Sequence, residues 1–205
     1  MKVLEMKKII IWAWVLCLLL SATGVQADLV ATYAARIASL IEPAKLATLG
    51  KRAANPRVQK YVAQLAEARL AGNNPTNVAN ESVTKAGMTG TGAKMTSDAM
   101  LRNLTIADRL GCLDVEGLSE MRKGKAPTVR RGPYAGDQLS VDHIIPRAVV
   151  PELDNVIANL ELMPLRMNES KNDKVGARQL ALGKELNAAM LLSNAGLTSL
   201  EAAEK

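Results

Sequence analysis

The chain has 205 residues and a formal net charge of +6; only 2% of its residues are aromatic and none is Phe. That length holds one domain, or a domain with a supporting lobe, and is enough to bury a sizeable core. The shortage of rings excludes a platform on which single-stranded bases stack, and the low cysteine count excludes a sulfur-held zinc site.

A leader accounts for the first 27 residues. Lys7 and Lys8 form a basic n-region, Ile9 to Leu20 is uncharged, and Val25-Gln26-Ala27 is a small-x-small cleavage pattern. The apolar run is short for a membrane span, which needs about twenty residues. An uncleaved N-terminal anchor is the plain alternative. Cleavage near Ala27 predicts a secreted or periplasmic protein. It also removes Trp12, Trp14 and Cys17, so Cys112 is left without an internal disulfide partner. Its neighbours in Leu110-Gly-Cys-Leu113 suit a small buried apolar position. The remainder stays mildly basic, which permits a polyanionic partner.

Residues 28–122 read as helical. Val30, Tyr33, Ile37 and Leu40 recur at helical spacing up to Ile41. Asn55-Pro56 is a helix start, with Asn55 as cap and Val58, Tyr61, Val62, Leu65 and Leu70 on one apolar face. Gly72 closes that helix, and Asn74-Pro75 opens a shorter one to about Lys85. Gly87 to Gly92 reads as a flexible loop, since a phosphate-binding loop would need a Gly-Lys-Ser/Thr ending that is absent. Ser97 or Asp98 then caps a helix with Met100, Leu101, Leu104, Ile106 and Leu110, stopped by Gly111, and another runs from about Val115 to Arg122.

The character changes at Lys123. Gly124, Pro127, Gly132, Pro133 and Gly136 make a turn-rich stretch, in which Arg122, Lys123, Lys125, Arg130 and Arg131 form a basic approach able to steer a phosphodiester. A merely solvated basic loop is the bland alternative. Gln138 to Ile145 reads as a strand ended by Pro146, and Leu160 to Met163 as a second. Pro164 opens a helix that carries Asn168 toward Leu192, with a break near Asn172-Asp173, before an Ala-rich helical end. The fold class is therefore α+β, mainly α: a leader over 1–27, a helical lobe over 28–122, and a strand–loop–strand–helix module with C-terminal helices over 123–205.

Val141 to Asp173 carries the chemistry. His143 is the chain's one histidine, Asp142 precedes it, Asn159 follows sixteen residues on and Asn168 nine further. Cutting a phosphodiester requires a base to take a proton from attacking water, and an imidazole suits that near neutrality. A divalent cation neutralises charge on phosphorus and on the leaving oxygen. Asp142 and Asn168 offer hard oxygen donors that favour Mg²⁺, Mn²⁺ or Ca²⁺ over thiophilic ions. Adjacent strand residues point to opposite faces, so Asp142 and His143 serve one site only where the strand bends or ends.

Val-Asp-His-Ile-Ile-Pro, Asn159-Leu160 and Asn168-Glu-Ser-Lys together resemble the HNH nucleases, also called His-Me finger or ββα-metal nucleases, in a variant whose third position is Asn instead of His. The resemblance covers about 35 residues, from Gln138 to Asp173. It implies a small ββα-metal module following the helical lobe. It also implies an endonuclease acting on DNA, or on RNA, with little sequence preference. By it His143 is the general base, Asp142 and Asn168 bind one divalent metal ion, and Asn159 holds the inter-strand loop and helps orient His143 in catalysis. Arg147 and Lys171 stand where a phosphate contact is reasonable, beside Arg130 and Arg131 of the basic loop. Two other classes compete: an exported nucleic-acid-binding protein with a silent module, and an envelope interaction protein whose basic loop meets anionic lipid.

Overall fold

Local sequence signals set most of the helix boundaries. The computed structural model describes residues 28–171 and 173–204; the expected leader lies outside the described residues. Helix α1 covers residues 28–41, followed by α2 (Pro43–Ala47), α3 (Asn55–Leu70), α4 (Pro75–Lys85), α5 (Gly90–Arg109) and α6 (Val115–Arg122). Asn74 caps α4 by accepting from Thr76 N at 2.8 Å, and Asp114 caps α6 by accepting from Gly117 N at 2.7 Å. Gly72, at φ +82°, takes the left-handed turn after α3.

Three details differ from the sequence reading. Asn55 is the first residue of α3, not its cap; Ala54 holds the cap position, and its amide is taken by Asn155 Oδ1 at 2.9 Å. Leu70, expected on the buried face of α3, is exposed at its end. The Gly87–Gly92 stretch is not a free loop, because α5 begins at Gly90. Ser97 therefore lies inside a helix, where its hydroxyl donates to Asn80 Oδ1 on α4 at 2.7 Å. Tertiary contact explains the early start: Gly92 packs against the Ala189 carbonyl and the Leu191 side chain.

Two antiparallel strands follow, β1 (Leu139–His143) and β2 (Leu160–Pro164), in register from Leu139↔Pro164 to His143↔Leu160. β1 is shorter at both ends than the apolar run suggested. The connector holds single 3-10 turns at Pro151–Leu153 and Ile157–Asn159. Helices α7 (Leu165–Lys171), α8 (Ala177–Ala188) and α9 (Asn194–Ala202) complete the chain, with the break between α7 and α8 near Asp173.

A two-stranded ribbon is marginal by itself, because both of its edges are open. Here buried amides from the helices close them. Asn103 of α5 donates from Nδ2 to Leu160 O at 3.1 Å and accepts on Oδ1 from Leu162 N at 2.9 Å. The same Nδ2 donates to the Tyr61 hydroxyl of α3 at 2.7 Å. Gln59 of α3 donates to Leu139 O at 3.1 Å on the other strand. The principal apolar core is accordingly continuous across residue 122: Val58, Val62 and Leu65 of α3 and Met100 of α5 share it with Leu139, Val141, Leu160 and Leu162 of the ribbon. A second cluster, including Ile145, Leu153, Leu186 and Leu200, joins the connector to α8 and α9. Cys112 is fully buried in the first core, and burial pushes its thiol up to about 12, so it is an inert packing residue.

Asn103→Ala leaves a strand amide and a buried phenol without their partner, and leaves the Leu160 carbonyl only the 3.4 Å contact from Arg102 Nη2. The expected loss is about 2–4 kcal/mol, read by urea denaturation; a loss within error of zero shows that the ribbon does not depend on this clamp.

Candidate active site

β1 ends at His143, and that ending resolves the opposite-faces difficulty. Beyond it the chain turns through Ile144, Ile145 and Pro146 instead of continuing as strand. Asp142 and His143 consequently both line one cavity of about 390 Å³, and Asn168 of α7 lines it as well. Arg147 and Lys171 also face it. Arg130 and Arg131 do not line it.

His143 is fixed by a residue that the sequence reading passed over. Its Nε2 lies 2.9 Å from the main-chain carbonyl of Asp154 and 2.9 Å from Asp154 Oδ1. Both are acceptors, so Nε2 carries the ring proton and Nδ1 keeps its lone pair. Among the described residues Nδ1 has no hydrogen-bond partner. The side chains of His143 and Asp154 are only 10% and 11% exposed, so their contact is shielded from solvent. Asp154 lies eleven positions after His143 in an irregular connector, and no spacing rule singles it out. Asp154 Oδ2 is taken by the Arg52 amide at 3.2 Å.

Asn159 is wholly buried and lies outside the cavity lining. Its Oδ1 accepts from Ile145 N at 2.8 Å, and its Nδ2 donates to Ile145 O at 3.1 Å and Leu153 O at 3.4 Å. Its own carbonyl accepts from Ile144 N at 2.9 Å. Asn159 is thus a positioning residue that fixes the turn leaving His143, and it touches no reacting atom.

Asp142 is buried, and desolvation raises its carboxyl above the usual range; the hydrogen bond and charge of Lys171 oppose that shift. A raised value means the folded site holds a proton that the unfolded chain has released. The group therefore favours folding at acidic pH, and this contribution is lost as pH rises through the raised value. Lys171 Nζ donates to Asp142 Oδ2, to His143 O at 2.9 Å and to Ile144 O at 3.3 Å. Three oxygens thus already surround one positive charge. Asn168 Nδ2 donates to Ser140 Oγ at 3.1 Å and Val141 O at 3.5 Å, which leaves Oδ1 as the atom able to serve a cation.

A carboxylate and an amide side chain line one cavity, a donor set of the kind a hard divalent ion takes, and Asp142 already pairs with a cation there. Among the described residues no group of three or more His, Cys, Asp or Glu side chains converges on a metal position. Two side chains, Asp142 and Asn168, would hold such an ion, and it would compete with Lys171 for Asp142.

Two cations of the basic loop are paired: Arg122 with Glu67, and Arg130 with Asp114 at 3.3 Å and also with Glu116. The stem of Arg131 lies against Gly111. The cations that line the cavity beside Lys171 are Arg147 and a residue of the helical lobe, Arg52.

No protein-family model matches the chain, and comparisons with curated proteins and with solved structures return no match.

Lys171→Met removes the countercharge of a buried carboxylate. In metal-free buffer the variant should lose about 1–3 kcal/mol, and added Mn²⁺ should raise its Tm more than it raises the parent's. Equal Tm gains in the two proteins would show that lysine and metal do not share the Asp142 position.

Proposed function

We propose that the chain is an exported, metal-dependent endonuclease of the HNH type, hydrolysing phosphodiester bonds in DNA with little sequence preference. One observation carries the reading: a histidine whose Nε2 is fixed by two acceptors, with no partner on Nδ1 among the described residues, shares a cavity with Asp142 and Asn168, on a strand–strand–helix frame.

Each residue then has a task that follows from its contacts. His143 Nδ1 takes a proton from a water as the water oxygen attacks phosphorus and the bond to the 3′ oxygen breaks. Asp154 holds the ring in the required tautomer and stabilises the imidazolium. Asp142 and Asn168 Oδ1 would hold one Mg²⁺ or Mn²⁺, which supplies Lewis-acid neutralisation of charge on the phosphate and the leaving oxygen. Lys171, once displaced from Asp142, has an ammonium to offer a phosphate oxygen. Arg147 stands at the cavity wall for the same purpose. With so few rings and no element directed at base edges, affinity comes from the backbone and sequence preference is weak. The leader signals at Lys7-Lys8, Ile9 to Leu20 and Val25-Gln26-Ala27 support export.

The Lys171–Asp142 ion pair favours one rival, a silent module in which the lysine is the permanent cation. DNA binding that persists in EDTA, with no cleavage in any divalent metal, selects the rival.

Purified protein should degrade duplex DNA in Mg²⁺ or Mn²⁺ and stop in EDTA; single-stranded DNA and RNA in parallel define the substrate. His143→Ala should lower the rate about 10²- to 10⁴-fold, and Asp154→Asn about tenfold or more, with DNA binding retained. Undiminished cleavage in His143→Ala removes the assignment. N-terminal sequencing of protein recovered outside the cytoplasm should begin at Asp28; a chain starting at Met1 or Met6 refutes cleavage.

A further inference from the structure

Arg52 belongs to the helical lobe, yet it lines the cavity of His143. It sits at the third position of the Gly50–Ala53 turn, closed by Ala53 N donating to Gly50 O at 3.2 Å. Its φ is +56°. In that region a Cβ costs roughly 1–2 kcal/mol, and turns that need it usually take Gly or Asn. Met190 is the other described non-Gly residue with positive φ, and it directly follows the end of α8, where left-handed backbone commonly terminates helices. Arg52 has no such reason: α2 has already ended at Ala47, and α3 starts at Asn55.

The turn is held by the connector between the strands. Arg52 N donates to Asp154 Oδ2 at 3.2 Å, and Asn155 Nδ2 donates to Gly50 O at 3.2 Å. Asp154 is the residue that fixes His143, so the base and Arg52 are located by one carboxylate. The Arg52 side chain is exposed and, among the described residues, makes no ion pair. Lys171 pairs with Asp142, whereas Arg52 and Arg147 line the cavity, among the described residues, without an ion pair, on the same wall as Glu169 and Asp173. Strained backbone persists where the side chain it presents has work to do.

We propose that Arg52 is the phosphate-binding residue the helical lobe contributes to the site, gripping a nucleic-acid backbone phosphate beside the one presented to His143. The inference rests on the nuclease reading above, and adds the lobe to the substrate-binding surface. Glycine suits the turn better than arginine while keeping the amide that Asp154 requires. Arg52→Gly therefore separates binding from folding.

The test uses His143→Ala protein to prevent cleavage, and measures binding of a short DNA duplex by fluorescence anisotropy across a salt series. Arg52→Gly in that background should raise Kd about fivefold or more at low salt and lower the slope of log K against log salt by about 0.9. Its Tm should be equal or higher, and Arg52→Lys should keep most of the slope. Unchanged affinity and slope in Arg52→Gly, beside active cleavage by protein that retains His143, overturns this inference alone. A fall in Tm that accompanies lost binding also overturns it, by assigning Arg52 to the fold. No DNA binding in the parent and no cleavage by the His143 protein overturns it together with the nuclease reading.

Discussion

The ribbon depends on side chains that are not its own. Two short strands cannot satisfy their outer amides and carbonyls, and burying those groups unpaired would cost more than such a ribbon gains. Asn103 and Gln59 take them up from α5 and α3. These bonds place the ribbon against the helices at a fixed height and tilt. Everything at its far end, His143 included, inherits that position.

The helical lobe and the ribbon are therefore packed as one piece. Their apolar side chains form one core, and the Gly50–Ala54 segment is pinned to Asp154 and Asn155 beyond the ribbon. A site with two candidate metal ligands and one base needs its side chains held closely, because small misplacements of reacting groups are costly. Asn159 holds the turn after His143, Asp154 holds the ring, and the lobe holds Asp154. Each of these is a polar contact inside a low-dielectric interior, where it resists rearrangement.

Local signals made much of this legible. Proline at a helix start, Asn74 before Pro75, and the apolar spacing of Val58, Tyr61, Val62 and Leu65 located helices closely. The Asp-His, Asn, Asn spacing picked out side chains of which Asp142, His143 and Asn168 do line one cavity. What escaped was set by distance in the chain. Asp154 and Arg52 carry no pattern, since their meaning arises from a contact spanning 102 positions. Ser97 looked like a cap because its sequence neighbours cannot reveal Asn80 across the helix pair. Arg130 looked available for phosphate because the carboxylates that engage it, Asp114 and Glu116, lie on another element.

Lys171 carries one further meaning. A carboxylate buried in a cavity wall needs a countercharge before the surrounding turns can settle. By lending its own ammonium, the chain supplies that charge from within the polypeptide. The hollow thus owes its outline to an internal ion pair, and any cation entering it must compete with a lysine already seated there.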